Sequence, residues 1–151
     1  MNATILALDA SSTSIGYVVF AGDAVLAHGE QRLAQHDIND RCLRAELTIS
    51  ELLTRHAAVD VVAIESPVAR YAKAVIPQAL VSGAIRAAVR RSGRHVVDVT
   101  PAEAKQALTG RGNSDKLVMQ AAATAYGVHG EHAADAVGVA LAAVGKVRVE
   151  L

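Results

Sequence analysis

Apolar residues fall along the chain in two distinct rhythms, short unbroken runs and helical spacings, and their order predicts the architecture. Ala3 to Leu8 is a continuous apolar run and reads as a strand. Ile15 to Phe20 is a second, and Gly22-Asp23 before Val25 is a hairpin signal. Val25 to Leu33 is a third strand, more polar and so near a sheet edge. Leu43, Leu47, Ile49, Leu52 and Leu53 then recur at helical spacing, predicting a helix over 39–56 with Asn39 or Asp40 near its cap. Val61 to Ile64 is short and β-branched, as expected of a strand buried on both faces. Val75, Ile76, Ala79, Leu80, Gly83, Ala84 and Ala87 mark a helix ending before Gly93, and His95 to Val99 is a fifth strand.

The remainder is helical. Thr100-Pro101 with Glu103 opens a short helix, because proline suits the first helical position. Gly110 to Asn113 is a loop, and Ser114 is expected to cap a helix ending at Gly127. An Ala-rich helix runs from about Glu131 to Val144. Three strands joined by tight turns, followed by strand–helix alternation, predict an α/β fold. The expected sheet is mixed and five-stranded, with helices on both faces. That layout is the ribonuclease H-like fold, which the first half of an actin-like ATPase domain shares. No repeat, linker or low-complexity tract divides the chain, so residues 1–151 are expected to form a single domain.

Composition narrows the class. The 52% apolar fraction supplies one core, and no apolar stretch reaches the length of a membrane span. No basic segment precedes an N-terminal apolar run, so no signal peptide is expected. Cys42 is the single cysteine, which excludes an internal disulfide and a cysteine-based zinc site and fits a cytoplasmic setting. Net charge is zero, yet residues 66–116 carry nine Lys/Arg against three Asp/Glu, +6, leaving −6 elsewhere. Such asymmetry gives either one basic face or simply solvated helix surfaces.

The chemistry lies where acids interrupt apolar segments. Asp9 ends the first strand, in "ILALDASST", and Glu65 ends the fourth, in "VVAIESP". Ligands of open α/β sheets collect at strand ends. If these strands are parallel neighbours, both acids project from one sheet end. Asp135 interrupts the otherwise apolar last helix, with His132 three residues earlier on the same face. A carboxylate on a packed helix needs a partner, and a metal supplies one. Each feature has a plain alternative: Asp9 as a turn cap, Glu65 as a loop residue, and Glu131, His132 and Asp135 as a polar first turn.

Four segments, "ILALDASSTSIGYVVF", "VVAIESP", "VTPAEAKQALTGRGNSDK" and "HAADAVGVALAA", occur in this order over nearly the whole chain. Together they resemble the motifs of the RuvC family of Holliday-junction resolvases. The resemblance implies a crossover junction endodeoxyribonuclease acting on four-way DNA junctions. It implies metal ligation by Asp9, Glu65 and Asp135. His132 stands where many members carry a further aspartate. Two ions, Mg²⁺ or Mn²⁺, and no small-molecule cofactor are expected, with imidazole ligation shifting preference toward Mn²⁺. The resemblance also implies phosphate contacts by Lys105 and Lys116, the latter with a catalytic role, and a homodimer making paired symmetric nicks. Small residues Ala79, Gly83, Ala84 and Ala87 could let two copies pack closely, or could pack on the chain's own sheet. Arg70, Lys73 and Arg111 are further expected DNA contacts, and Tyr71 either stacks on bases or packs in the core. Two other readings stay open: a related nuclease for flaps, forks or RNA precursors, and a non-catalytic actin-like partner-binding module. His129 with His132 has a spacing seen at zinc sites, but no second pair completes one.

Overall fold

The computed structural model describes residues 2–33, 36–67 and 72–150, without the side chains of residues 72 and 148–150. Strands β1 (Thr4–Ala10), β2 (Ser14–Ala21), β3 (Ala24–Arg32), β4 (Val61–Glu65) and β5 (His95–Val99) form one sheet in the order β3-β2-β1-β4-β5. β1, β2 and β3 pair antiparallel, whereas β4 lies parallel to β1 and β5 parallel to β4. The polar third strand is therefore an edge, and the two acid-ending strands are parallel neighbours.

Side chains alternate across the sheet, and each face receives its own helices. Leu6, Leu8, Val62 and Ile64 face helices α1 (Ile38–Arg55) and α2 (Ala72–Arg91), where Ile49, Leu52, Leu53 and Ile85 complete the core. Ile5, Ala7, Val18, Phe20 and Ala63 face the other way, toward α3 (Pro101–Thr109), α4 (Lys116–Ala123) and α5 (Glu131–Glu150). That second core consists mostly of alanine and valine. Its small side chains let the backbones close up: a Cβ on Gly138 of α5 would sit 2.7 Å from the Ala104 carbonyl oxygen of α3. Among the described residues no helix is long and apolar enough to cross a membrane.

Element ends differ from the sequence reading in four places. α1 is capped by Asp37, which accepts from the Asn39 and Asp40 N–H groups, so those two residues lie inside the first turn rather than at the cap. α4 is capped by Asp115 through the Val118 N–H. Ser114 instead exchanges a 2.6 Å hydrogen bond with the Thr109 hydroxyl and donates to the Arg111 carbonyl, closing the preceding loop. α4 stops at Ala123 and gives way to a 3₁₀ turn, Thr124–Tyr126, before Gly127. α5 continues past Val144 through Gly145 to Glu150, because a single glycine weakens a helix without ending it and no proline follows. The periodic stripe of α1 is also split: Ile49, Leu52 and Leu53 are buried, but Leu43 and Leu47 are 55% and 47% exposed.

Candidate active site

Register carries Asp9 and Glu65 to one place. Leu8 pairs with Ile64 across the parallel β1–β4 ladder, and the next residue on each strand is the acid. Both point to the alanine face, since Ile5, Ala7 and Asp9 share parity. The strand end is held by Gln78 of α2, whose side-chain amide donates to the Ala10 carbonyl at 3.1 Å. A Ser11–Ser14 turn follows, tied by the Ser11 N–H to the Ser14 carbonyl at 2.9 Å.

The start of α5 crosses this strand end. His132 Nδ1 lies 3.0 Å from Asp9 Oδ2, pairing residues 123 positions apart. Asp135, one turn along, joins the same cluster. The Glu65 pKa is raised to about 8 by burial first, and then by the Asp9 carboxylate beside it and the charge of Asp135. Asp135 is raised to about 6, again chiefly by burial and then by Asp9. His132 is raised too, mainly by its hydrogen bond to Asp9. The two acids are shifted chiefly by burial and further by neighbouring carboxylates, whereas His132 is raised by its carboxylate partner.

Two lysines approach the cluster. Lys105 of α3 is close enough to lower Glu65 by its charge, opposing the larger effects. Lys116 opens α4 and feels Asp135 and Asp9, but its ammonium is paired with Glu131 at the start of α5. It is otherwise solvent-facing, with 74% of its side chain exposed. The remaining expected contacts are not gathered here. Arg111 is exposed in the α3–α4 loop, and Lys73 is exposed in the first turn of α2. Arg70 and Tyr71 lie outside the described residues.

Two residues essential to this geometry escaped the sequence reading. Glu30 of β3 accepts hydrogen bonds through Oε1 from the His132 and Ala133 N–H groups, at 3.0 and 3.2 Å. Gly16 of β2 makes room for α5: a Cβ there would lie 2.4 Å from the His132 backbone carbonyl. Only strand register exposes them, because Asp9 pairs with Gly16 and Gly16 pairs with Glu30.

Residues 5–143 match the family described as crossover junction endodeoxyribonuclease RuvC. The chain belongs to the RuvC family. Membership assigns it that family's class of activity, endonucleolytic cleavage of DNA at crossover junctions. Solved structures agree on the fold. A Thermus thermophilus RuvC structure superposes with a TM-score of 0.80 at 22% identity, covering 97% of this chain and 96% of that one. T. thermophilus RuvC in complex with a Holliday junction substrate gives 0.84 at 23% identity, over 98% and 96% of the two chains. The yeast mitochondrial Holliday junction resolvase gives 0.63 at 13% identity, over 97% and 80%. No curated protein sequence matches significantly.

The family implies a divalent metal, and the donor set can be tested for it. Three carboxylates and an imidazole are the ligand types for Mg²⁺ or Mn²⁺. Burial and repulsion have raised two of those acids, a penalty that a cation would relieve. Among the described residues no three such side chains already form a metal cage, and Asp9 is engaged by His132 instead. The residues thus fit a metal chemically, with their present hydrogen bonds taking the places of metal contacts.

Proposed function

We propose that this RuvC-family chain resolves four-way DNA junctions by metal-dependent hydrolysis at the cluster of Asp9, Glu65, His132 and Asp135. The observation that carries the reading is the convergence of these groups at one sheet end, with Glu65 raised to about 8 by burial and by the Asp9 and Asp135 carboxylates. In this reading these residues would hold two divalent ions, whose chemistry would be to activate a water and stabilise the leaving 3′ oxygen, so that cleavage would give 5′-phosphate and 3′-hydroxyl ends. Asp9, bonded to His132 and beside Glu65, would hold metal with Glu65 on one side and with His132 and Asp135 on the other. Lys116 leaves Glu131 and donates to a phosphate oxygen at the scissile position, where its positive charge opposes the charge that builds up during attack. Lys105 contacts a neighbouring phosphate, and Arg111, Arg70 and Lys73 contribute to the longer-range hold on the backbone. Base stacking by Tyr71 and a cytoplasmic location belong to the same reading.

Paired nicks need two sites, and we assign them to a homodimer. Leu43 and Leu47 of α1 and Ile76 and Leu80 of α2 are 47–59% exposed, on two helices that pack on one another. Together with exposed Ala79, Gly83 and Ala87 they give an apolar surface on the side of the sheet opposite the acids.

The test uses labelled junctions, forks, flaps, RNA duplexes and linear DNA with Mg²⁺ or Mn²⁺. Asp9→Asn, Glu65→Gln and Asp135→Asn should each lower junction cleavage by at least about 100-fold while junction binding persists, because each removes metal charge but little DNA contact. Wild-type cleavage by one of these variants would remove that residue from the ligand set. Preference for flaps, forks or RNA would replace the substrate.

A further inference from the structure

Helix α5 begins without a local side-chain cap. The residue that starts it is Gly130, whose carbonyl accepts the first helical hydrogen bond from the Ala134 N–H at 3.0 Å. Glycine has no side-chain oxygen to satisfy the free N–H groups of the first turn. The acceptor comes from across the molecule: Glu30 Oε1, on edge strand β3, takes both the His132 and the Ala133 N–H. Gly130 sits at φ +100°, and a Cβ on it would lie 2.9 Å from that oxygen. The cap position is therefore kept clear for a carboxylate arriving from residue 30.

Strand register turns this contact into a row. Asp9, Gly16 and Glu30 are successive partners across β1, β2 and β3, so they lie side by side on one sheet face. Asp9 takes the His132 ring, Gly16 clears its backbone, and Glu30 takes its N–H. His132 is fixed at both ends by one line of residues. Asp135 follows rigidly, because it is one helical turn away.

We propose that Glu30 is a positioning residue of the metal site: by capping α5 from β3 it sets the placement of His132 and Asp135 against Asp9 and Glu65. The proposal rests on the reading that these four residues hold metal. Its essence is reach, not charge, and the two separate cleanly. Glu30→Asp keeps the charge but shortens the arm by one methylene. Glu30→Gln loses the charge but keeps an oxygen acceptor at the same distance.

The experiment is Mn²⁺ binding to the DNA-free protein, followed by the loss of free Mn²⁺ signal in electron paramagnetic resonance. Each variant is measured at a temperature where circular dichroism shows it folded. Glu30→Asp should bind Mn²⁺ about tenfold more weakly, the usual cost of disturbing a group that orients a metal ligand. Glu30→Gln should stay within about threefold of wild type, as a cap whose hydrogen bonds survive. Wild-type affinity in Glu30→Asp overturns the proposal. So does a loss in Glu30→Gln equal to or larger than that in Glu30→Asp, which would make Glu30 a charge partner or a direct ligand. If wild-type protein itself binds no Mn²⁺, the metal reading fails and this inference falls with it.

Discussion

The two faces of the sheet are built to opposite specifications. On the α1–α2 face the core is made of large aliphatic side chains, Leu6, Leu8, Ile15, Ile49, Leu52, Leu53, Ile64 and Ile85. On the α3–α5 face it is dominated by Ala7, Ala63, Ala104, Ala123 and the alanines of α5. Large side chains bury more apolar area per residue, so the first face contributes most to stability. Small ones let backbones approach, and the proposed metal-binding groups sit on the second face. A polar side chain as short as aspartate can bridge strand and helix only where the two lie close, as Asp9 and His132 do at 3.0 Å. Stability and chemistry are thus assigned to different sides of one sheet.

Substitutions that break this division should affect different measurements. Ile49→Ala, on the aliphatic face, should destabilise the protein by about 2–5 kcal/mol, seen as a lower denaturation midpoint. Cleavage per folded molecule should stay near wild type, and a matching loss of rate in fully folded protein would end the distinction. Gly16→Ala, on the other face, places a methyl group into the His132 backbone, so that one of the two must shift. It should cut single-turnover cleavage by about 100-fold through displacement of His132, the usual cost of a misplacement near 1 Å.

His132 sharpens the comparison chemically. Its pKa is raised by Asp9, so protons compete with metal at higher pH than for an ordinary imidazole. Activity should therefore fall on mild acidification, and because imidazole ligation favours Mn²⁺, that ion should support cleavage at lower concentration than Mg²⁺. His132→Asp should remain within about tenfold of wild-type activity, move preference toward Mg²⁺ and lose part of that acid sensitivity. A metal titration at two pH values decides this.

The smallest effect concerns stability without metal. Glu65 is raised from 4.5 to about 8 and Asp135 from 3.8 to about 6. The folded state holds these protons more tightly than the unfolded one. Their contribution is complete below about pH 4 and is lost as pH rises through 6 and then 8. Metal-free protein should melt at lower temperature as pH climbs from 5 to 8, by about 2–4 °C per kcal/mol at this chain length. Glu65→Gln should flatten that slope in a calorimetric series, and an unchanged slope would mean that Glu65 does not titrate there.

Much of this was legible in the sequence. Unbroken apolar runs at Ala3–Leu8 and Val61–Ile64 announce strands covered on both faces, and an acid closing each run lies at the sheet end the two strands share. Asp135 stood out because its helix is otherwise apolar. The helix caps differ by two or three residues at α1 and by one at α4, because Asp37, Asn39 and Asp40, like Ser114 and Asp115, are all competent acceptors, and only backbone geometry selects among them. Glu30 and Gly16 could not be read at all. Each is unremarkable within its own strand and acquires its role from register with a helix more than 100 residues later. The exposure of Leu43 and Leu47 was hidden for a similar reason: helical spacing reports an apolar stripe but not how wide a neighbour covers it.

The row that joins Asp9, Gly16 and Glu30 to His132 also governs timing. Synthesis delivers the sheet first and the start of α5 only near the end, and the bonds that fix it span 102 and 123 residues. Contacts of such separation form late, because the loop between them must first be closed. A growing chain can therefore display Asp9 and Glu65 on a paired strand end while half of the constellation does not yet exist. On the proposed ligand set the site becomes complete only when the last helix docks, so completion of the fold and completion of the site are one event.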